Sequence, residues 1–416
     1  MRERALAVFL VAALSPIASC GANPAGIPQI RVGAIFPLSA GTEPLAGEEL
    51  LGVTIAEQLV NKDGGIDGRQ LSLDVRDVNS VAAAQAAAGS LRRDGVPAVL
   101  GAYSSELSIP ASGDVARDGM LYWESGAVAD QVTGQGLPLV FRVGADGSDL
   151  GGNTGRFVVG QIAPRLQRPA PSLRVFLVTA DDAYGHSVAA GAHAALTAAG
   201  VPLVEEALYN PYAPVWHPVL QAITADHPDV LILSSHIPDG IAFRRTFLAA
   251  KLHVDAFLGS SMAQCMDDFG DALGPEAVGV FASDRPQANF NPGALDPQGR
   301  ALYERFAAAW RAQHGGYPTE EGIAGFSAAW VLFHDVMPNA AALTPNALAA
   351  AARALDLPAG SLPNGAGVLF ASSPSLLGQN LRAAAVIWQW QAVRRSVVVW
   401  PATYATGKII MVPLPA

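Results

Sequence analysis

The chain has 416 residues, of which 50% are hydrophobic and 15% are charged, so it is long and apolar enough to form two or more cores of about 100 to 200 residues each. This composition excludes global disorder. The formal net charge of -10 argues against a nucleic-acid partner, because a polyanion would be repelled and no basic run interleaved with aromatic residues offsets the charge.

The first nineteen residues have the pattern of an export signal. Arg2 and Arg4 precede an apolar run over 5–14, and small residues lead to Cys20. The run is too short for a stable transmembrane span and is typical of a cleaved signal peptide. The Ala-Ser-Cys end resembles the lipobox of bacterial lipoproteins, so we expect acylated Cys20 to hold the protein on a membrane face, with 20–29 as a tether. The alternative is a plain secretory signal followed by a chance cysteine.

Cysteine and histidine usage predicts neither a disulfide framework nor a metal site. Cys265 is the other of only two cysteines, and with Cys20 lipidated it has no partner. The eight histidines are scattered singly, without the spacing of metal ligands. We therefore expect no metal and no cofactor.

The first part of the chain alternates strands with helices. Predicted strands are 30–36, 71–77, 97–101, 120–123 and 138–143, and predicted helices are 47–61, 81–93 and 109–117. Such β-α-β spacing predicts a doubly wound parallel sheet. The Gly-rich segment 144–155 lacks both G-x-G-x-x-G and Gly-Lys-Ser/Thr, so we interpret it as a flexible connection rather than a phosphate loop.

The same pattern then repeats, which predicts a second, similar lobe. Predicted strands are 174–179, 203–209, 229–235 and 256–259, and predicted helices are 155–165, 187–199, 215–224 and 239–252. A strand over 278–283, helices over 296–314, 320–335 and 344–355, and a strand pair 367–370 and 384–391 follow.

The segment 99–112 is predicted to form a buried strand that stops at Gly101, turns through Tyr103, Ser104 and Ser105, and restarts as a helix near Leu107. Open α/β sheets bind ligands at the carboxyl ends of their strands. The two serine hydroxyls either cap the helix or hold a ligand, and both interpretations stay open.

Four segments, taken together, resemble the solute-binding proteins of bacterial ABC importers, specifically the leucine/isoleucine/valine-binding type with the type I periplasmic-binding fold. They are 61–69 (NKDGGIDGR), 109–112 (IPAS), 181–185 (DDAYG) and 399–407 (VWPATYATG). Their order and separation cover nearly all of the chain beyond the signal.

The resemblance implies two doubly wound parallel-sheet α/β lobes joined by three crossover strands. Lobe one would hold 30–141 and 284–364, and lobe two would hold 142–283 and 365–416. A small-molecule solute would bind in the cleft, and the lobes would close on it by a hinge. The permease and ATPase subunits of an importer would be the partners.

Several residues match the ligand contacts of this family. Ser105 matches the serine that holds a ligand carboxylate, and Ala127 and Val128 match a loop that supplies backbone N–H groups. Tyr184 matches an aromatic that covers the ligand, although it could instead pack at the start of its helix. His236 stands where amino-acid binders have a tyrosine, and it either contacts the ligand or is a satisfied loop histidine.

Departures from the family pattern bear on the ligand. Leu45 stands where an aromatic is expected, Val128 replaces a threonine, and 260–261 (Ser-Ser) replaces the glutamate that binds the ammonium group. An ammonium desolvated without its counter-charge costs ~2 to 5 kcal/mol, so a free branched-chain amino acid should bind poorly unless another acid substitutes. The acids that could substitute are Glu124, Glu106, Asp182 and Asp239.

The expected cleft is apolar, since Trp123 and Tyr103 would line it together with Leu45 and Val128. This favours a small amphipathic solute such as an amide, an aromatic acid or an amino-acid derivative. The complete expected ligand set is Tyr103, Ser104, Ser105, Trp123, Glu124, Ala127, Val128, Tyr184, His236 and Ser261.

Catalysis is not expected, because the nearest approach to a hydrolase elbow, 325–329, lacks its second glycine and lies in a helical pattern. We expect an exported, lipid-anchored, monomeric solute-binding protein at the outer face of the cell membrane or in the periplasm. The alternative is a ligand-sensing lipoprotein that acts through a separate signalling partner, since the same fold also serves receptors.

Overall fold

The computed structural model describes residues 29–39, 45–260, 264 and 266–415. The predictions of a signal peptide over 1–19, of lipidation at Cys20, of most of the tether, and of a ligand contact at Ser261 lie outside the described residues.

The first lobe is built on a five-stranded parallel sheet in the order β2-β1-β3-β4-β5. Its elements are β1 (Ile30–Phe36), α1 (Ala46–Lys62), β2 (Leu71–Asp77), α2 (Val81–Arg93), β3 (Ala98–Gly101), α3 (Ser105–Arg117), β4 (Leu121–Glu124), α4 (Gln131–Gly134) and β5 (Val140–Arg142). The predicted strands 30–36 and 71–77 have the observed bounds, because a buried apolar run and a clear alternation defined them.

The second lobe is built on a seven-stranded sheet in the order β12-β11-β10-β9-β8-β6-β7. Its elements are α5 (Gly147–Phe157), α6 (Ala163–Arg165), β6 (Val175–Ala180), α7 (Ala183–Ala198), β7 (Leu203–Tyr209), α8 (Trp216–Asp226), β8 (Val230–Ser234), α9 (Ile237–Ala249), β9 (Ala256–Ser260), α10 (Asp267–Leu273), β10 (Phe281–Asp284), β11 (Val386–Ala392) and β12 (Arg395–Trp400). Strands β6 to β10 run parallel, and β11 and β12 are antiparallel additions at one side. The predicted fold class, two α/β lobes joined by crossovers, is confirmed.

Three helices that follow β10 in the chain pack in the core of the first lobe: α11 (Pro297–Gln313), α12 (Glu320–Trp330) and α13 (Pro345–Arg353). Helix α12 lies directly on α1. A Cβ added at Gly325 would come within 2.1 Å of the carbonyl oxygen of Glu49, so only glycine permits this approach. This contact places Glu49 of α1 directly against α12.

The Gly-rich segment 144–155 is mostly helix, and its interpretation as a flexible connection was wrong. It forms α5, which begins at the capping box of Asp146 and Asp149. A Cβ at Gly151 would lie 1.8 Å from the carbonyl oxygen of Val188 in α7. The glycines therefore allow the two helices to pack backbone to backbone. Composition alone does not distinguish a glycine-rich helix interface from a flexible linker.

The predicted strand pair near the carboxyl end was also wrong. Residues 367–370 make only isolated bridges, from Val368 to Leu357 and from Phe370 to Asn380. Strand β11 pairs instead with β12, because the connection between them is two residues long and Arg394 adopts a positive φ of 56°.

The chain passes between the lobes three times within the described residues: after β5, after β10 and before β11. The last passage falls near residue 385 rather than at the expected 365, since Ala366, Val368, Phe370 and Ala384 pack in the first-lobe core. The first and last passages are clamped together. Arg142 Nε donates to Gln379 Oε1 at 2.7 Å, and Asn380 Nδ2 donates to the carbonyl of Val143 at 2.8 Å.

None of the helices in the described part of the chain combines the length with the apolar character that a bilayer crossing requires.

Candidate functional site

The carboxyl ends of the first-lobe strands carry the predicted turn 103–105. Ser104 is the N-cap of α3, and its hydroxyl accepts from the backbone N–H of Leu107 at 3.4 Å. Ser105 opens the helix, and its Oγ accepts from the N–H of Ala129 at 3.1 Å. Ser104 thus caps the helix, whereas Ser105 ties α3 to the loop after β4.

Both aromatic side chains expected to line the first-lobe wall pack in its core. Trp123 is fully buried, stacks with Phe141 and donates from Nε1 to the carbonyl of Ala328 at 2.8 Å. Tyr103 is 7% exposed and packs against the same core. The placement of Trp123 in the cleft is therefore corrected: β4 is buried on both faces, so its tryptophan points inward to α12.

The loop after β4 folds back on the last residue of the strand. Glu124 is fully buried, and its Oε1 accepts from the backbone N–H groups of Ser125, Gly126 and Ala127 at 3.0, 2.9 and 2.8 Å. We call these three N–H groups the amide nest. Tyr122 donates its phenol to Oε2 of Glu124 at 3.1 Å. The N–H of Ala127, expected to bind a ligand, is already used by Glu124, which corrects that expectation.

A second buried carboxyl, Glu49, lies behind the amide nest. Its Oε1 accepts from the Ser125 hydroxyl at 2.6 Å, and its Oε2 is buried without a hydrogen-bond partner. Burial, and secondly the charge of Glu124, raise the pKa of Glu49 to about 8. Burial likewise raises the pKa of Glu124, against the hydrogen bonds that favour its ionised form. Sequence reasoning missed Glu49, because an acid in the first turn of a helix is ordinarily a favourable partner of the helix dipole.

Arg285, which follows β10 at the second crossover, pairs with a further buried acid beside Glu49 and Glu124. Arg285 Nε lies 2.5 Å from Glu320 Oε1, and its Nη1 donates to the carbonyl of Gly126 at 2.9 Å. Burial raises the pKa of Glu320 and of its neighbour Glu321. Arg285 therefore connects a crossover strand to the first lobe and to the loop that carries the amide nest.

The facing wall of the second lobe carries Tyr184 and His236. Tyr184 is buried, donates its phenol to the carbonyl of Ser235 at 3.2 Å, and has its ring 4.9 Å from that of His236. His236 Nε2 lies 2.7 Å from Oδ2 of Asp182, whose Oδ1 caps α7 at the N–H of Gly185. Tyr184 and His236, chosen separately from the sequence, thus lie in contact.

The two walls meet beside the first crossover. The side chain of Val128 packs with Tyr184, Leu150 and Val188 of the second lobe, and its carbonyl accepts from the N–H of Gly147 at 2.6 Å. The next loop residues join the lobes by hydrogen bonds, from Ser148 Oγ to Asp130 Oδ2 at 2.5 Å and from the N–H of Asp130 to Ser187 Oγ at 3.0 Å. Val128 and Tyr184, one from each lobe, therefore lie in one buried cluster where the two lobes meet.

Across residues 29–39, 45–260, 264 and 266–415, no group of three or more His, Cys, Asp or Glu side chains is arranged to hold a metal ion, the buried acids around Arg285 included.

The chain matches a family model and several known proteins. A family model described as "Periplasmic binding protein" matches residues 29–384. Leu/Ile/Val-binding protein homolog 8 of Brucella suis biovar 1 (strain 1330) is 28% identical over 405 residues, covering 97% of this chain and 98% of that protein. Leu/Ile/Val-binding protein homolog 7 of Brucella abortus (strain 2308) is 26% identical over 420 residues, covering 98% and 99%.

Solved structures show the same fold. The branched-chain amino acid transporter substrate binding protein LivJ from Streptococcus pneumoniae str. Canada MDR_19A, in complex with isoleucine, matches with a TM-score of 0.71 at 16% identity, covering 90% of this chain and all (100%) of that one. A solute binding protein of an ABC transporter from R. palustris, in complex with benzoate, matches with a TM-score of 0.71 at 18% identity, covering 94% and 100%.

Proposed function

This chain belongs to the periplasmic binding protein family, and from that premise we propose that it captures a small polar or amphipathic solute in the cleft between its lobes and delivers it to the permease of an ABC importer. The observation that carries the proposal is the opposition of Val128 and Tyr184, one from each lobe, at walls joined by a clamped hinge. A solute bound there contacts both lobes and favours the closed form by its differential affinity.

The solute belongs to the amino-acid, amide or small-acid class. The Brucella relatives are named Leu/Ile/Val-binding protein homologs, and structural neighbours hold isoleucine and benzoate. The aromatic pair of Tyr184 and His236 suits such ligands, since an apolar body can pack on the rings while a polar end reaches the loops. The chain acts as a carrier in this proposal and catalyses no reaction.

The site of action is outside the cytoplasm, as for periplasmic binding proteins. The N-terminal pattern supports export, and acylation of Cys20 would keep the carrier near its permease. The carrier would act as a monomer, because one chain supplies both walls of the cleft.

The test is ligand-induced closure of the purified full chain. Solution scattering and thermal unfolding are followed against a panel of amino acids, their amides and small aromatic acids. We expect at least one solute to reduce the radius of gyration and to stabilise the fold by about 2.7 kcal/mol at a concentration of 100 Kd. Profiles that stay unchanged across the panel would contradict the proposal.

A pair of variants assigns the effect to the cleft. Tyr184→Ala should abolish the response, whereas Tyr184→Phe, which keeps the ring and removes the hydroxyl that donates to Ser235, should weaken affinity by about tenfold or less. Tyr317→Ala serves as the control, since Tyr317 is 77% exposed between α11 and α12 of the first lobe. Equal loss in the Tyr317 variant would mean that the response does not arise at the cleft.

A further inference from the structure

The amide nest is an anion site that is already filled by the chain itself. Three successive backbone N–H groups converge on one oxygen of Glu124 at 2.8 to 3.0 Å. Converging main-chain N–H groups are the usual means by which a loop holds a carboxylate or phosphate. Here a fully buried side chain supplies that carboxylate.

We propose that Glu124 is a specificity-determining residue: its carboxylate occupies the amide nest in place of a solute carboxylate, so that the cleft selects neutral amides or cationic amines over free acids. This rests on the proposed function and narrows its solute class.

The nest belongs to the loop that forms the first-lobe wall. It is followed directly by Val128, which packs on Tyr184, and by Ala129 and Asp130, which bind Ser105 and Ser187. The Ser105 hydroxyl, the other group expected to hold a solute carboxylate, already accepts from the N–H of Ala129. The N–H of Ala127 is therefore no longer open to a solute carboxylate, and the Ser105 oxygen is tied to the same loop.

The charges around the amide nest also disfavour a solute carboxylate. The Glu49 carboxyl lies behind it, bonded to Ser125 and with one oxygen unpartnered. Two guanidiniums approach the loop, but both have partners. Arg142 donates to the carbonyls of Ala127 and Ala129, and Arg285 is paired with Glu320. A solute carboxylate would thus meet like charge from Glu124 without a new counter-charge from either arginine.

The first arm of the test needs no solute and examines the nest itself. Glu124→Ala leaves three buried N–H groups without an acceptor, so it should lower the melting temperature. Acetate should restore much of that loss in a saturable way, whereas acetamide, a neutral probe of the same shape, and chloride should not. Wild type and Glu124→Gln, which keeps an acceptor oxygen in the nest, should show no acetate effect. If the alanine variant folds only with acetate present, that is the same rescue.

The second arm uses matched solutes. Titration calorimetry of wild type compares leucinamide with leucine and benzamide with benzoate. We expect the amide of at least one pair to bind about tenfold more tightly or better than its acid, since the acid finds neither the nest nor a free cation. Glu124→Gln removes the charge and should narrow this preference several-fold. Glu304→Gln, at an exposed position of α11 in the same lobe, is the control and should leave the preference unchanged.

The outcomes separate the two proposals. Acid binding equal to or tighter than amide binding in wild type overturns the role of Glu124 while leaving solute capture intact. A Glu124→Ala variant that acetate neither folds nor stabilises also overturns it, because the nest then does not accept anions. If acetate rescues the variant but no solute closes wild type, solute capture fails, and the selection of its solute fails with it.

Discussion

The phenol of Tyr212, in the loop after β7 of the second lobe, donates a 2.7 Å hydrogen bond to Oε2 of Glu106 on α3 of the first lobe. The pair spans the cleft, and Tyr212 is itself 77% exposed. A bond across the cleft exists only when the lobes are together, so it contributes to the closed state and not to the open one.

Removal of this bond should weaken solute capture. We expect Tyr212→Phe to reduce affinity about two- to tenfold. The lower value is favoured because the pair is exposed to solvent, which weakens the bond. Calorimetric titration with a closing solute measures the change. The matched control is Tyr317→Phe, because Tyr317 is equally exposed at 77%. Identical affinities of the two variants would show that the bond does not stabilise the closed state.

Close contact between α5 and α7 should make Gly151 intolerant of a side chain. The added Cβ of Gly151→Ala would lie 1.8 Å from the Val188 carbonyl oxygen, so the helices must separate. We expect a loss of ~1 to 3 kcal/mol in the free energy of unfolding, measured by urea denaturation. Gly160→Ala is the control: a Cβ there meets nothing within 4 Å, so the change should be neutral or stabilising. Similar losses in both variants would contradict the packing explanation.

Burial of Glu49 should make stability depend on pH. Its pKa is about 8 in the folded chain against an ordinary value of 4.5, so the folded state holds a proton that the unfolded state releases between these values. The free energy of unfolding should therefore fall as pH rises from about 4.5 to 8, by up to ~1.4 kcal/mol per unit from this group. Above pH 8 its contribution is constant.

The variant Glu49→Gln isolates this effect from that of other buried acids such as Glu320. It keeps an oxygen that can accept from Ser125 but cannot ionise, so the stability of wild type relative to the variant should fall across that range. Denaturation at pH 5, 6, 7 and 8 measures the difference. A difference that is constant with pH would show that Glu49 is ionised throughout the range.

Because Trp123 lies in the first-lobe core, its substitution should lower stability and leave solute affinity nearly unchanged. Trp123→Phe loses the hydrogen bond to Ala328 and part of the ring volume, which should cost ~1 to 3 kcal/mol of stability. Because the side chain is fully buried away from the facing wall, solute affinity should change by less than about twofold. Urea denaturation and titration calorimetry test the two halves. A large loss of affinity with unchanged stability would indicate instead that Trp123 contacts the solute in the cleft.

Much of the fold could be predicted because its signals are local. The predicted strands that became β1 and β7 have the observed bounds, and the two strand-helix series correctly predicted two lobes. The site was predicted less completely. Tyr184 and His236 were chosen and do lie in contact, whereas Glu49 went unnoticed, since its burial depends on the approach of α12 to α1.

The sequence by itself determined where most strands and helices form, since hydrophobic periodicity and capping residues act over a few positions. Only the tertiary structure decided what the glycines of α5 are for, that Trp123 turns inward, and that the Glu124 carboxylate takes three N–H groups of the following loop. The physical reason is that a glycine contact or the hydrogen bonds of a buried side chain depend on partners set by the fold, and spacing along the chain does not specify them.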